Sequence, residues 1–258
     1  MKQKLMVLAG AVLLLFALSA CDIGDLMRGN LFAKMEKYSI SLTDVKEKTG
    51  EDLVEDLKVL VQYPGFFDDL KQDKETKDAI LGSLEDTFTD PAAEPPQVQE
   101  AALIYIEIQF KTTGAEDVAE GVMGLIGSFI PSGDGEGDGE GEETDASGLG
   151  ESFLALFDGL SGDELTDTLE AMDESSDAFE AYVESLYDPA ADSYYFPPGT
   201  DVLDITSKAL ACAMVSLIGV DNMTAILTGE DEIDNHEVKF DGTWVGNLFE
   251  ALGNYFGS

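Results

Sequence analysis

Asp-Pro-Ala-Ala followed by an acid occurs twice in this chain, at Asp90-Pro91-Ala92-Ala93-Glu94 and at Asp188-Pro189-Ala190-Ala191-Asp192, and a Pro-Pro pair follows each. Proline fixes φ, lacks an N–H and pushes the residue before it toward extended backbone, so neither stretch can sit inside a helix or a central strand. Both are corners. Two further landmarks keep the same order around them. Gly50-Glu51-Asp52-Leu53 before the first corner answers Gly162-Asp163-Glu164-Leu165 before the second. Gly114-Ala115-Glu116-Asp117-Val118 after the first answers Gly219-Val220-Asp221-Asn222-Met223 after the second. Small insertions such as Ser193-Tyr194-Tyr195-Phe196 account for the drift in spacing. The collinear matches predict an internal duplication of helical halves.

Between the landmarks, apolar residues recur at helical spacing. Thr49 offers a capping hydroxyl with Glu51 and Asp52 in the first turn, and Leu53, Val54, Leu57, Leu60 and Val61 form the stripe behind it. Lys74 to Phe88 reads as a second helix, with Ile80, Leu81, Leu84 and Phe88 inward. Gln97 to about Thr112 follows the first corner; its Tyr105, Ile106, Ile108 and Phe110 would also suit a strand, but its length favours a helix. Val118, Val122, Leu125, Ile126 and Phe129 line the next. In the second half the helical pattern runs from Ser161 to Tyr187, then from Asp201 to Gly219, and closes between Phe240 and Phe256. The fold predicted is all-α: a multi-helix bundle or short helical-repeat array. It loosely resembles tetratricopeptide-type solenoids, but the repeat is far longer than theirs and no function transfers. Residues 21–130 and 151–258 are the halves, and 131–150, alternating glycine with acid, is a self-repelling linker.

Charge narrows the partners. Asp and Glu number 53 against 14 Lys and Arg, a formal net charge of −39, yet 44% of residues are hydrophobic. Disorder pairs high charge with few apolar groups, so this composition reads as a core beneath an acidic surface. Nucleic acid needs a basic face and is excluded as a partner. The acid excess fits a cationic ligand or partner, or salty surroundings.

Lys2 and Lys4 precede an apolar run from Leu5 to Leu18, which has signal-peptide length and is too short to cross about 30 Å of hydrocarbon. Leu18-Ser19-Ala20-Cys21 ends it. Small residues before a cysteine resemble the lipobox of bacterial lipoproteins. That resemblance implies that residues 1–20 are a signal peptide, that Cys21 carries a diacylglycerol, and that its freed amine takes a further acyl chain such as palmitate. It also implies export to the cell envelope and a membrane held through the N-terminal lipid, either on the periplasmic side of the inner membrane or at the outer membrane. Asp22 resembles the inner-membrane retention signal of enteric bacteria, a rule other lineages do not follow. An ordinary secretory signal with an incidental thiol is the alternative.

Chemistry finds little purchase. Cys212 is alone in an apolar stretch, and His236 is the single histidine, set in an acidic loop. No phosphate loop or nucleophile elbow is present, and no acid pair stands out, so the sequence reads as non-enzymatic and without a cofactor. Asp134, Glu136, Asp138 and Asp145 partly match a calcium loop, but Glu at the third position, Asp at the twelfth and glycine at alternate residues argue against one. Binding is better supported. Tyr187, Tyr194, Tyr195 and Phe196 surround the second corner with Asp192, where aromatics can stack on a ligand, dock a peptide or hold a cation, or instead plug the helical core. Two functions follow: a helical interaction or scaffold module meeting another envelope protein, or a solute-binding or transport-accessory lipoprotein with a pocket between the halves.

Overall fold

Helices make up nearly all the regular structure in the computed structural model, which describes residues 42–129, 152–229 and 244–257. They are α1 (Leu42–Lys46), α2 (Gly50–Leu60), α3 (Pro64–Gln72), α4 (Lys74–Phe88), α5 (Pro95–Thr112) and α6 (Ala115–Phe129). A 3₁₀ turn at Ala155–Phe157 leads to α7 (Asp163–Ser185) and a minimal hairpin, β1 (Tyr187–Asp188) and β2 (Ser193–Tyr194). The chain finishes with α8 (Val202–Ile218), α9 (Val220–Leu227) and α10 (Trp244–Gly257). The fold is all-α, as the periodicity predicts. The signal peptide and Cys21, the glycine–acid stretch with its calcium-loop residues, and His236 lie outside the described residues.

Side-chain caps set two of the starts. Asp73 Oδ1 accepts the Thr76 amide at 3.1 Å and Oδ2 the Thr76 hydroxyl at 2.7 Å, which opens α4. Asp201 Oδ1 accepts the Asp204 amide at 3.1 Å and opens α8. The start of α2 differs from expectation. Thr49 occupies the cap position, but its side chain makes no capping hydrogen bond. Gly50 enters α2 at φ 60°, and Gly162 stands before α7 at φ 56°, so the two matched starts share a left-handed glycine instead.

The two corners are the same turn. Asp90 Oδ1 accepts the Ala92 amide at 2.9 Å, and Asp188 Oδ1 accepts the Ala190 amide at 2.8 Å. The Ala93 amide donates to the Asp90 carbonyl at 3.0 Å, and the Ala191 amide to the Asp188 carbonyl at 3.2 Å. Aspartate holds both turns by the same side-chain mimicry of backbone. The corners then part company. The first runs straight into α5, whose Pro95 takes a first-turn position that needs no N–H. At the second, Asp192 adopts φ 53° and folds the inserted residues back as β2, pairing Tyr187 with Tyr194 and Asp188 with Ser193. Tyr187 therefore lies on a strand and not at a helix end, because α7 stops at Ser185 and the inserted strand offers a partner.

α7 is the axis of the core, packing against α4, α5, α6, α8, α9 and α10, most extensively against α5. Helices from both sequence halves thus share one interior, within a unit that begins at Leu42. α5 buries Ala101, Ile104, Tyr105, Ile106, Ile108, Gln109 and Phe110, which point to every side. That all-round burial explains its strand-like composition. Phe179 of α7 is fully buried and stacks on Trp244 at 5.9 Å between ring centroids. The Gly114 amide donates to Thr168 Oγ1 at 3.2 Å, tying the α5–α6 corner to α7. A Cβ at Gly114 would stand 2.9 Å from that oxygen, so glycine permits the approach. No single described helix is long and apolar enough to cross a membrane.

Candidate functional site

The hairpin packs on the last helix and brings aromatic residues of the second corner beside those of α10. Tyr187 and Tyr194 pair across the strands with ring centroids 5.2 Å apart. The Tyr187 hydroxyl donates to Asp192 Oδ1 at 2.6 Å, and that bond to a carboxylate raises the phenol above its ordinary value of 10.0. β2 lies on α10. The Ser193 hydroxyl donates to Glu250 Oε1 at 2.6 Å, and the Asn254 amide donates to the Ser193 hydroxyl at 2.7 Å and the Tyr194 carbonyl at 3.0 Å. Phe196 meets Tyr255 edge-on at 6.2 Å, and Tyr255 meets Phe256 at 5.2 Å. Of the predicted residues, Tyr187, Asp192 and Tyr194 meet within the hairpin, Phe196 meets Tyr255 of α10, and Tyr195 is held beside them by its backbone.

Tyr194 and Phe196 are half-buried, and the other rings open to solvent. Tyr187 is 42% exposed, Tyr195 46%, Phe249 49%, Tyr255 49% and Phe256 68%. Leu186 takes the buried position beneath the hairpin, and its carbonyl accepts the Tyr195 amide at 3.1 Å. α10 buries Val245, Leu248 and Ala251 and leaves Phe249 and Phe256 outward. Phe249 and Phe256 are seven residues apart and lie beside Val245 at the edge of the buried Val245–Leu248–Ala251 stripe, so helical spacing did not distinguish them from the core. Asp188, Asp192 and Glu250 of the hairpin and α10 are exposed, Asp192 on the Tyr187 hydroxyl and Glu250 on that of Ser193. Large contiguous apolar surface with a polar rim marks an interaction site.

A second cluster went unread in the sequence. Lys208 on α8 is only 5% exposed. Its Nζ lies 3.0 Å from Asp204 Oδ2, 3.2 Å from Glu107 Oε2 of α5 and 3.8 Å from Glu116 Oε2 of α6, with the Phe110 ring centroid at 5.8 Å. Burial alone would lower its pKa, but Glu107, Asp204 and Glu116 outweigh that and hold it above 10.5. Lys208 bonds Asp204 and Glu107 and lies near Glu116, whose buried Oε2 has no hydrogen-bond partner, so the cluster reads as a structural tie between α5, α6 and α8.

Cys212 is fully buried, and burial pushes its thiol well above the ordinary value of 9.0. A nucleophilic or metal-binding cysteine needs the opposite shift. Among the described residues, no group of three or more His, Cys, Asp or Glu side chains is arranged to hold a metal ion. No family model, curated protein or solved structure matches the chain.

Proposed function

We propose that this protein is a lipid-anchored, non-enzymatic docking module of a bacterial cell envelope. Its aromatic face, built from the hairpin and α10, binds another envelope protein that carries an apolar patch with a basic rim. The observation that carries this reading is two groups of exposed or half-buried rings, Tyr187 with Tyr194 and Phe196 with Tyr255 and Phe256, which the hydrogen bonds between β2 and α10 bring beside each other. Tyrosine and phenylalanine are enriched at interfaces because they supply large contact area with few torsions to freeze. Asp188, Asp192 and Glu250 of the hairpin and α10, and a net charge of −39, select and steer a basic partner. The lipobox-like Leu18-Ser19-Ala20-Cys21 supports the anchor, which would hold module and partner on one membrane and raise their effective concentration.

Native electrophoresis of detergent-extracted host membranes tests the reading, comparing the natural protein with a Tyr195→Asp/Phe256→Asp variant. The natural protein should migrate in an assembly larger than the monomer, and the variant as a monomer with an unchanged melting temperature. A natural protein that runs as a monomer, or a variant that stays in the assembly, contradicts the proposal. An assembly made of this chain alone would replace the foreign partner with a second copy. Cys21→Ser should move the protein from the membrane to the soluble fraction.

A further inference from the structure

The anomaly in so acidic a protein is an unpaired lysine, and the described residues hold three of them in one place. Lys46, Lys48, Lys58, Lys111 and Lys208 each have a carboxylate within ion-pairing distance. Lys71, Lys74 and Lys77, the other described lysines, have none. All three line one cleft of about 370 Å³. Lys71 ends α3, while Lys74 and Lys77 lie on the first turn of α4. Across the gap α7 presents Asp167, Glu170 and Glu174, and α5 closes the end with Gln109, Thr112 and Thr113. The cleft thus lies between the two halves: the first gives Lys71, Lys74 and Lys77 with one acid, Asp78, and the charged groups of the second are all acids.

Among the charged groups of the cleft, Lys71, Lys74, Asp167, Glu170 and Glu174 are exposed, and the burial cost falls on Lys77. Lys77 is half-buried, and burial holds its pKa below the ordinary 10.5 even though Asp78, Glu174 and Asp167 pull the other way. Its acids lie beyond direct contact, so the ammonium is desolvated without a partner. Gln109 is 2% exposed and donates to Glu174 Oε2 at 2.5 Å, which fixes one carboxylate of the opposite wall. The lysines of one wall form no ion pair with the acids of the other, and a small dipolar solute could reach both. A simple anion would face the acids, and a simple cation the lysines.

From this geometry we infer that the cleft binds a small zwitterionic solute of amino-acid or dipeptide size. Its anionic end meets Lys71, Lys74 and Lys77, and its cationic end meets Asp167, Glu170 and Glu174. This site is separate from the aromatic face and does not depend on the docking reading.

The test is calorimetric titration of the full chain in detergent with the twenty free amino acids and with Gly-Gly, using acetate and methylammonium as single-charge controls. At least one zwitterion should bind at least tenfold more tightly than either control. Lys77→Gln and Glu170→Gln should each weaken it by at least tenfold, while Lys77→Arg retains binding. A second reading needs no variant: the Lys77 ammonium, followed by carbon-13 NMR, should titrate at higher pH in the complex than in the free protein. The inference is overturned if no zwitterion exceeds the controls, if neither substitution weakens binding, or if the Lys77 titration does not move.

Discussion

Lys208 Nζ donates to Glu107 Oε2 at 3.2 Å, joining α8 of the second half to α5 of the first through a buried cation. Between Lys111 and Lys239 it is the only Lys or Arg in the chain. The three carboxylates around it would repel one another without it. Lys208→Met should therefore destabilise the fold by about 2–3 kcal/mol, below the full penalty of a broken buried pair because Asp204 is half-exposed and stays hydrated. Lys208→Met/Glu107→Gln should recover part of that loss. The sign with pH is fixed by the raised value. Lys208 contributes fully below 10.5, and its contribution is lost as pH climbs through the higher folded-state value. Denaturant melts at pH 8 and at pH above 11 check both points: the gap between natural and Lys208→Met proteins should be wide in the first and narrow in the second.

Cys212 supplies a probe of the core. In a Cys21→Ser background it is the only thiol in the chain, and it is fully buried on α8. A thiol reagent should label it only after global opening, at a rate that tracks unfolding. Labelling within minutes under native conditions would show that α8 is not held in the core.

Two glycines test close packing. A Cβ at Gly121 of α6 would fall 2.4 Å from Leu156 Cδ2, and one at Gly114 would crowd Thr168 and Leu160. Gly121→Ala should cost about 1–2 kcal/mol, because Leu156 can swing aside. Gly114→Ala should cost more, near 2–3 kcal/mol, because it also displaces Thr168 from the Gly114 amide. Gly82→Ala on α4, where a Cβ meets nothing within 4 Å, is the control and should be neutral or stabilising. Thermal unfolding of the three variants decides the order.

What the sequence showed plainly was local. α4 spans Lys74–Phe88 as its stripe and flanking residues predict, and both Asp-Pro-Ala-Ala corners turn as their composition requires. α5 was ambiguous because its apolar residues answer neighbours on every side, which erases the amphipathic period. The second corner signalled its aromatics but not its hairpin, since the pairing rests on the left-handed Asp192. Tyr255 and Phe256 join the face only because α10 folds back onto β2 from beyond residues 230–243. The Lys208 tie and the lysine cleft were not legible. Each is assembled from three or four helices, and nothing in the spacing of Lys71, Lys74 and Lys77 distinguishes a cleft wall from a solvated surface.

Docking through the aromatic face is the central claim, and site-specific photo-cross-linking in intact host membranes tests it most directly. A benzophenone side chain would replace Tyr195 or Phe256, or Val59 of α2 as a control whose exposure, 48%, matches the 46% of Tyr195. The account predicts that Tyr195 and Phe256 capture one and the same envelope protein with a basic rim around the contact, and that Val59 does not. Equal adducts from all three positions, or none from Tyr195 and Phe256, would contradict it.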